Sequence, residues 1–219
     1  ATTLGERLLA WRGDAELSLH DSQLAGVPLH ATLKLDGRKP GWAVEADLRA
    51  ANNHAVLKGR LAPRAEEDRW RLDLDAPSLA AIQALLDLHP GLAAALRGPD
   101  KAAVAGQLSA HLQSQGRWPR LAIDGELRAG ALQAAGLRAA RLQMKAQAGP
   151  DAQAPLALQV DGEQVLFAGL RADVLQARID GSLAEHRIAL ELQSPLRPPA
   201  WADPLLGGTD GMPMFESLA

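Results

Sequence analysis

Apolar and polar residues alternate along most of this 219-residue chain. A period of two puts successive side chains on opposite sides of an extended strand, so each run predicts a β-strand with one apolar and one wet face. Short breaks rich in Gly, Pro and Asn separate the runs and predict hairpins between neighbouring strands. The pattern therefore predicts about a dozen strands, most of them antiparallel to the next one in the chain.

One segment, between residues 77 and 98, departs from this alternation. Its main apolar residues are three or four positions apart, as on one face of a helix: Leu79, Ile82, Leu85 and Leu86. Ser78 is a suitable N-cap, and residues 89–91 (His-Pro-Gly) end or kink the helix. The segment thus predicts a helical insert, which either plugs a groove, serves a partner or, more commonly, packs on its own sheet.

These patterns divide the chain into four parts. We predict a first β-groove section at 1–76, a helical insert at 77–98, a second β-groove section at 99–194, and a Pro/Gly-rich connector and tail at 195–219. The sheet sections account for most of the chain, so the fold is expected to be all-β with a short helical insert.

A Gly-x-Leu triplet recurs within the predicted strands. It occurs at Gly59/Leu61, Gly106/Leu108, Gly125/Leu127 and Gly181/Leu183. By alternation each glycine falls on the apolar face. Glycine weakens a strand and is found where a sheet bends or another group comes close. Four glycines with the same facing favour a sheet that curls toward its apolar side.

The apolar faces must be hidden from water, and two architectures do this. Two sheets can pack as a sandwich, or one long curved antiparallel sheet can form an elongated trough with an apolar interior. The chain has 43 Ala and 39 Leu but only 3% aromatic residues, which fills a sandwich poorly. A GC-rich genome would produce the same bias, so both architectures stay open, and we take the trough as the prediction.

Strand phase assigns a set of residues to the lining of this trough. They are Leu57, Gly59, Leu61, Gly106, Leu108, Ile123, Gly125, Leu127, Leu142, Leu158, Leu170, Ile179, Gly181, Leu183 and Leu190. An unfilled apolar concavity is typical of a binding site. Such a groove stays partly unfilled unless acyl chains occupy it.

Other kinds of chemistry find little support. A net charge of −3 gives no footprint for nucleic acid, and the lack of Cys excludes disulfides and thiolate sites. The six His have no metal-ligand spacing, and the carboxylate pairs Asp73/Asp75 and Asp124/Glu126 each share one wet face. No phosphate-binding or dinucleotide motif occurs. We therefore expect no enzymatic activity, no cofactor and no metal site.

Aromatic residues and the chain ends complete the pattern. The tryptophans lie near predicted strand starts, where they are expected to cap the apolar face: Trp11, Trp42, Trp70, Trp118 and Trp201. No run approaches the ~18 apolar residues of a membrane-spanning helix. The start of the sequence has no signal pattern and no Met, so we expect a mature or excised segment of a longer chain.

Two stretches resemble the TamB family of the bacterial translocation and assembly module. Residues 179–190 contain a Gly-Ser-Leu-x-x-His-x-Ile hairpin like that of the family, beginning at Gly181. Residues 70–79, the short helix, Gly106-Gln107-Leu108 and residues 118–121 resemble its central region. The likeness covers roughly residues 14–205 and extends to AsmA-like relatives. It identifies the chain as an internal segment of a much longer protein.

This resemblance implies a function. It implies a periplasmic trough that carries phospholipid between the inner and outer membranes and supports outer-membrane protein assembly. It also implies a TamA-like outer-membrane barrel partner and an inner-membrane anchor helix, both engaged by regions outside this segment, and no catalytic residues. The alternative is a scaffold whose sheet edges bind strands of client proteins.

Overall fold

The computed structural model describes residues 12–37, 40–97 and 102–194. In these ranges the chain forms eleven strands. They are β1 (Asp14–Leu24), β2 (Val27–Asp36), β3 (Trp42–Ala50), β4 (Asn53–Leu61), β5 (Arg69–Ala76), β6 (Ala105–Arg117), β7 (Arg120–Ala134), β8 (Leu137–Ala148), β9 (Pro155–Phe167), β10 (Leu170–Ser182) and β11 (His186–Gln193).

All eleven strands belong to one antiparallel sheet, in which each strand pairs with its neighbours in chain order. The sheet is open, with β1 and β11 as its two edges. It curves into a long trough that carries a small helical insert. The predicted trough is therefore confirmed. The sandwich alternative is wrong for the described part of the chain, because no second sheet covers the apolar face there.

The insert lies between β5 and β6. It consists of a 3-10 helix (Leu79–Ile82), α1 (Gln83–Leu86) and α2 (Pro90–Arg97), and we call Leu79–Arg97 the insert. Proline suits the first position of α2, because the N–H that it lacks would be unpaired there. The predicted Ser78 side-chain cap is wrong. The Ser78 backbone N–H donates instead to Asn53 Oδ1 at 3.1 Å, which ties the start of the insert to the start of β4.

Two-residue hairpins connect several strands. The pairs Ala25-Gly26, Ala135-Gly136 and Ala168-Gly169 each have two consecutive positive φ angles, from 49° to 82°. This backbone reverses the chain with the twist that an antiparallel pair requires. Alternation alone predicts one continuous strand through Leu166, Ala168, Leu170, Ala172 and Val174, and this prediction is wrong, because the turn at Ala168 divides these residues between β9 and β10. The apolar alternation continues through the turn and hides it.

The best buried part of the molecule lies where the insert meets the sheet. Ala76, Leu79 and Val104 are buried there, and at most 8% of each is exposed. Partly buried residues from the insert and from β5 to β7 pack around them, among them Ile82, Leu86 and Leu132, so the insert packs on its own sheet, the commoner of the predicted arrangements. The hydrophobic core is thus local to the middle of the trough.

A buried ion pair joins β4, β5 and β6 at their other ends, away from the insert. Asp68 is 1% exposed, accepts a hydrogen bond from the Ala62 backbone N–H at 2.7 Å and pairs with Arg117 Nε at 2.8 Å. Arg117 also donates to the Ala62 carbonyl at 3.0 Å. These bonds hold the β4–β5 connection against the end of β6.

Candidate functional site

The strand register brings apolar residues into unbroken rows across the sheet. We call one of them the central row: Leu19, Ala31, Leu48, Ala55, Leu74, Ala110, Leu127, Met144, Val160, Ala177 and Leu190. Every strand contributes one residue to it. Neighbouring strands are about 4.8 Å apart, so the row extends for about 48 Å along the trough.

A parallel row lies two residues along each strand. We call it the second row: Leu17, Leu33, Ala46, Leu57, Leu72, Leu112, Gly125, Ala146, Leu158, Ile179 and Ile188. Neither row contains a polar side chain. The two rows form a continuous apolar strip that crosses the whole sheet at right angles to its strands.

Most of the predicted lining residues lie on or beside this strip. Leu127 and Leu190 belong to the central row. The second row contains Leu57, Gly125, Leu158 and Ile179. The rest flank the strip: Gly59, Ile123 and Gly181 beyond the second row, Leu108 and Leu142 beyond the central row, and Leu61 at the end of β4.

Three of the predicted lining residues lie elsewhere. Leu183 is in the turn between β10 and β11 and is 61% exposed, so its assignment to a strand is wrong. Leu170 is the first residue of β10, beside the hairpin turn, and pairs with Phe167. Gly106 has φ of +108°, and a Cβ there would meet the backbone of β7, with the Ala131 oxygen at 2.6 Å. This glycine serves a bulge rather than the trough.

Two of the other glycines, Gly59 and Gly125, make room for the protein's own side chains, whereas a Cβ at Gly181 would meet the backbone of Glu185. A Cβ at Gly59 would collide with the ring of Trp70, which lies across it from the paired strand. A Cβ at Gly125 would come within 2.5 Å of Leu112 Cδ2. The expected close approach is therefore correct for these two glycines. Part of the volume that they leave is already filled by neighbouring side chains.

The tryptophans follow the expected capping pattern only in part. Trp42 and Trp70 lie near the starts of their strands, and the Trp42 ring covers Gly37. Trp118 instead lies in the β6–β7 turn and is 83% exposed, so it caps no apolar face. Trp11 and Trp201 fall outside the described residues.

Alternation misses residues of β7 that also face the insert. Leu132 and Ala134 pack against the buried cluster, although strict alternation from Leu127 puts them on the polar face. The cause is a change of phase: Ala131 has φ of +46°, and the β6–β7 register shifts by one residue at Gly106. A positive φ at alanine has no sequence signal, so the pattern alone does not find these residues.

An apolar cavity of about 500 Å³ lies between the insert and the sheet. Leu79, Ile82, Leu86 and Leu96 line it from the insert. Central-row residues of β3, β4, β5, β7 and β8 line it from the sheet. Strand phase cannot assign these insert residues to the trough lining, because helix periodicity does not say which part of a sheet a helix covers.

On the polar face of the sheet, carboxylates bond to basic side chains of the same or the adjacent strand. The bond from His54 Nε2 to Asp47 Oδ2, at 2.9 Å, lowers the pKa of Asp47. Bonds from Arg71, at 2.9 Å, and then from His111 lower the pKa of Asp73. These carboxylates thus serve cross-strand pairing, which agrees with the solvated face predicted for the carboxylate pairs.

The described ranges contain neither a candidate metal centre nor a membrane-spanning helix. In them, no group of three or more His, Asp or Glu is placed to hold a metal ion. No helix within the same ranges has the length and apolar character needed to cross a bilayer. The strip and the cavity are therefore the candidate site.

Comparison with known protein families gives a match over most of the chain. The family described as TamB, N-terminal domain, matches residues 10–198 of the chain. Neither the curated proteins nor the solved structures yielded a match. The match spans all eleven strands and the insert.

Proposed function

Because this chain belongs to the TamB family, whose members act in transport and assembly in the bacterial cell envelope, we propose that it conducts phospholipids along its apolar strip. Acyl chains lie along the central and second rows, and headgroups remain in water. The strip contacts hydrocarbon without selecting a particular lipid, because it contains no polar group to recognise one.

The observation that carries this proposal is the continuity of the two rows. Eleven consecutive strands each place an apolar residue in both rows, so a hydrocarbon chain meets no polar interruption from one edge to the other. Many of these residues are accessible: Leu190 is 48% and Ile188 63% exposed. Burial of hydrocarbon against them contributes about 0.8 kcal/mol per CH₂.

The same proposal includes the setting of the protein. The segment works in the periplasm as part of a bridge between the two membranes and supports outer-membrane protein assembly. Its partner is a TamA-like barrel, bound by regions outside this segment, and an N-terminal helix outside it anchors the parent chain. The segment acts by binding, without catalysis, since no arrangement of residues on the strip supplies an acid, base or nucleophile.

Site-specific photo-crosslinking in living cells tests the lipid proposal. A photo-crosslinking residue at position Leu127 or Ile179 should capture phospholipid, whereas one at position Arg128, adjacent in sequence but on the polar face, should not. Leu127→Asp should block lipid passage, while Arg128→Asp should not. Failure to capture lipid at any position of the two rows would overturn the proposal.

The exposed sheet edges favour a second candidate function. β1 and β11 each have an unpaired side, and an extended client strand can add to such an edge through backbone hydrogen bonds. Substitution by proline at Ser18 in β1 should then abolish activity, because the Ser18 N–H faces the open edge and proline cannot donate a backbone hydrogen bond there. In that case Leu127→Asp should have little effect, so the two variants separate the two functions.

A further inference from the structure

The insert covers one section of the apolar strip without filling it. The cavity between the insert and the sheet reaches from Leu48 on β3 to Met144 on β8, which is five strand spacings, or about 24 Å. On both sides the central row continues without this cover, through Ala31 on β2 and Ala177 on β10. The insert thus covers the strip in the middle of the trough; we call the insert in this role the roof, and the part of the strip that lines the cavity the roofed section.

Both ends of the insert are attached to the sheet. At its start, the Ser78 N–H bonds to Asn53 Oδ1 at 3.1 Å, and the Gln83 side-chain oxygen accepts from the Val104 N–H at 2.7 Å. At its end, the Leu96 carbonyl accepts a hydrogen bond from Ala135 in the β7–β8 turn. An element attached at both ends is a fixed roof rather than a hinged arm.

The chemistry of the cavity limits what can occupy it. Asn53 lines the cavity, but its amide is engaged on both sides, with Ser78 and with the Ala50 carbonyl. His54 also borders it, but its ring bonds to Asp47 on the polar face. A peptide entering the cavity would therefore leave its backbone N–H and C=O groups unpaired, at a cost of several kcal/mol.

The volume of the cavity also excludes an α-helix as its occupant. An α-helix is about 10 Å wide, so 24 Å of helix needs about 1,900 Å³. The cavity holds about 500 Å³. A hydrocarbon chain is much narrower and has no polar group to satisfy.

We propose that the insert encloses one section of the strip and that this section binds an acyl chain of a phospholipid, with the headgroup left outside. This inference rests on the proposed lipid function and adds a place where the lipid lies between the sheet and the insert. The roofed section is then the narrowest part of the path. A bulky side chain must obstruct lipid under the roof and leave it unaffected elsewhere in the same row.

The test uses two alanines of the central row. Ala55 lies under the roof and Ala177 outside it, so Ala55→Trp and Ala177→Trp make the same change in the two settings. Photo-crosslinkers at positions Leu142, under the roof, and Leu158, outside it, report bound phospholipid in the intact chain. Ala55→Trp should lower capture at Leu142 at least about tenfold, corresponding to about 1.4 kcal/mol, and Ala177→Trp should leave it unchanged.

A second pair of variants covers the case in which Ala55→Trp does not fold, as judged by its thermal melt. Leu86 lines the cavity, whereas Ala84, in the same helix, is exposed and does not. Leu86→Asp should lower capture at Leu142 by at least about tenfold, because a charge in an apolar cavity repels hydrocarbon. Ala84→Asp should leave capture unchanged.

The outcomes separate the roof from the lipid function. Capture at Leu158 but not at Leu142 in the unmodified chain overturns the roof, since the insert then acts as a plug. Equal effects of each matched pair overturn it as well, because the trough is then uniformly open. Absence of capture at both positions overturns the lipid function itself.

Discussion

The middle and the edges of this sheet have similar apolar residues but differ in how they are covered. In the middle, the insert buries Ala76, Leu79 and Val104, each at most 8% exposed. At the edges, Ile188 in β11 remains 63% exposed and Leu17 in β1 59%. All these residues are apolar, so residue type does not explain the difference in their exposure.

The comparison shows that stability and binding are separated along one sheet. Burial of apolar area provides the main driving force for folding, so the roofed middle contributes most of it. The open parts leave apolar side chains exposed to water and so contribute less to the free energy of folding, which the burial in the middle must supply. A trough built in this way can retain an apolar interior without collapsing onto itself, provided that one section is held firmly.

The largest expected effect concerns the buried ion pair of the middle. Asp68→Ala leaves the buried Ala62 N–H without its acceptor and removes the hydrogen bonds from Arg117, so it should lower the free energy of unfolding by about 3 kcal/mol, measured by urea denaturation. Glu16→Ala is the matched control at the edge, where Glu16 and Lys34 form an exposed pair at 3.3 Å. It should cost less than about 1 kcal/mol. Equal losses would contradict the division between middle and edge.

Truncation of leucine gives a comparable but smaller contrast. Leu79→Ala removes methyl groups from the buried cluster and should lower the free energy of unfolding by about 2 kcal/mol. Leu190→Ala, at a residue that is 48% exposed, should cost less than about 1 kcal/mol. Thermal melts of the two variants measure this. A larger shift for Leu190→Ala would mean that the edge, and not the insert, anchors the fold.

The smallest expected effect lies on the polar face. The hydrogen bond from His54 holds the pKa of Asp47 below its ordinary value. A carboxyl with a lower pKa in the folded state stabilises the protein above its unfolded pKa, near 4, and this contribution is lost as the pH falls through the folded pKa. Asp47→Asn should therefore cost less than about 1 kcal/mol near pH 6, and this cost should shrink as the pH is lowered toward 2.

The partner residue supplies the control for this pH dependence. In a His54→Gln background, Asp47→Asn should have a smaller effect near pH 6, because the bond that lowers the pKa is already absent. Urea denaturation at both pH values measures the two variants and their combination. An undiminished effect in that background would show that the Asp47–His54 bond does not stabilise the fold.

Much of the fold was predictable because alternation is a local property. The runs that predicted strands near Leu33, Leu48, Leu72 and Leu127 all form strands, and the break from residue 77 onward forms the insert. The hairpin at Ala168 was missed because its small residues continue the alternation. The bulge at Ala131 was missed because its positive φ is imposed by pairing with β6.

The sequence predicted which side of the strands carries the candidate site, but not which section of that side the insert covers. Strand phase assigned residues such as Leu57, Leu127 and Leu158 to one side of a sheet, and the register lines them up. The roof over that face was not predictable, since Leu86 reveals an apolar helix surface but not the surface that receives it. The same holds for Gly59, whose space is taken by Trp70 from the neighbouring strand.

The sequence by itself determined which residues are extended and which side of each strand is apolar, because both follow from the spacing of residues along the chain. It also carried the family likeness. Only the tertiary structure decided that eleven strands share one open sheet, that their apolar residues align in rows, and that the insert closes over the middle of them. Those features depend on contacts between residues distant in sequence, such as Asn53 with Ser78 and Leu96 with Ala135, which no local pattern encodes.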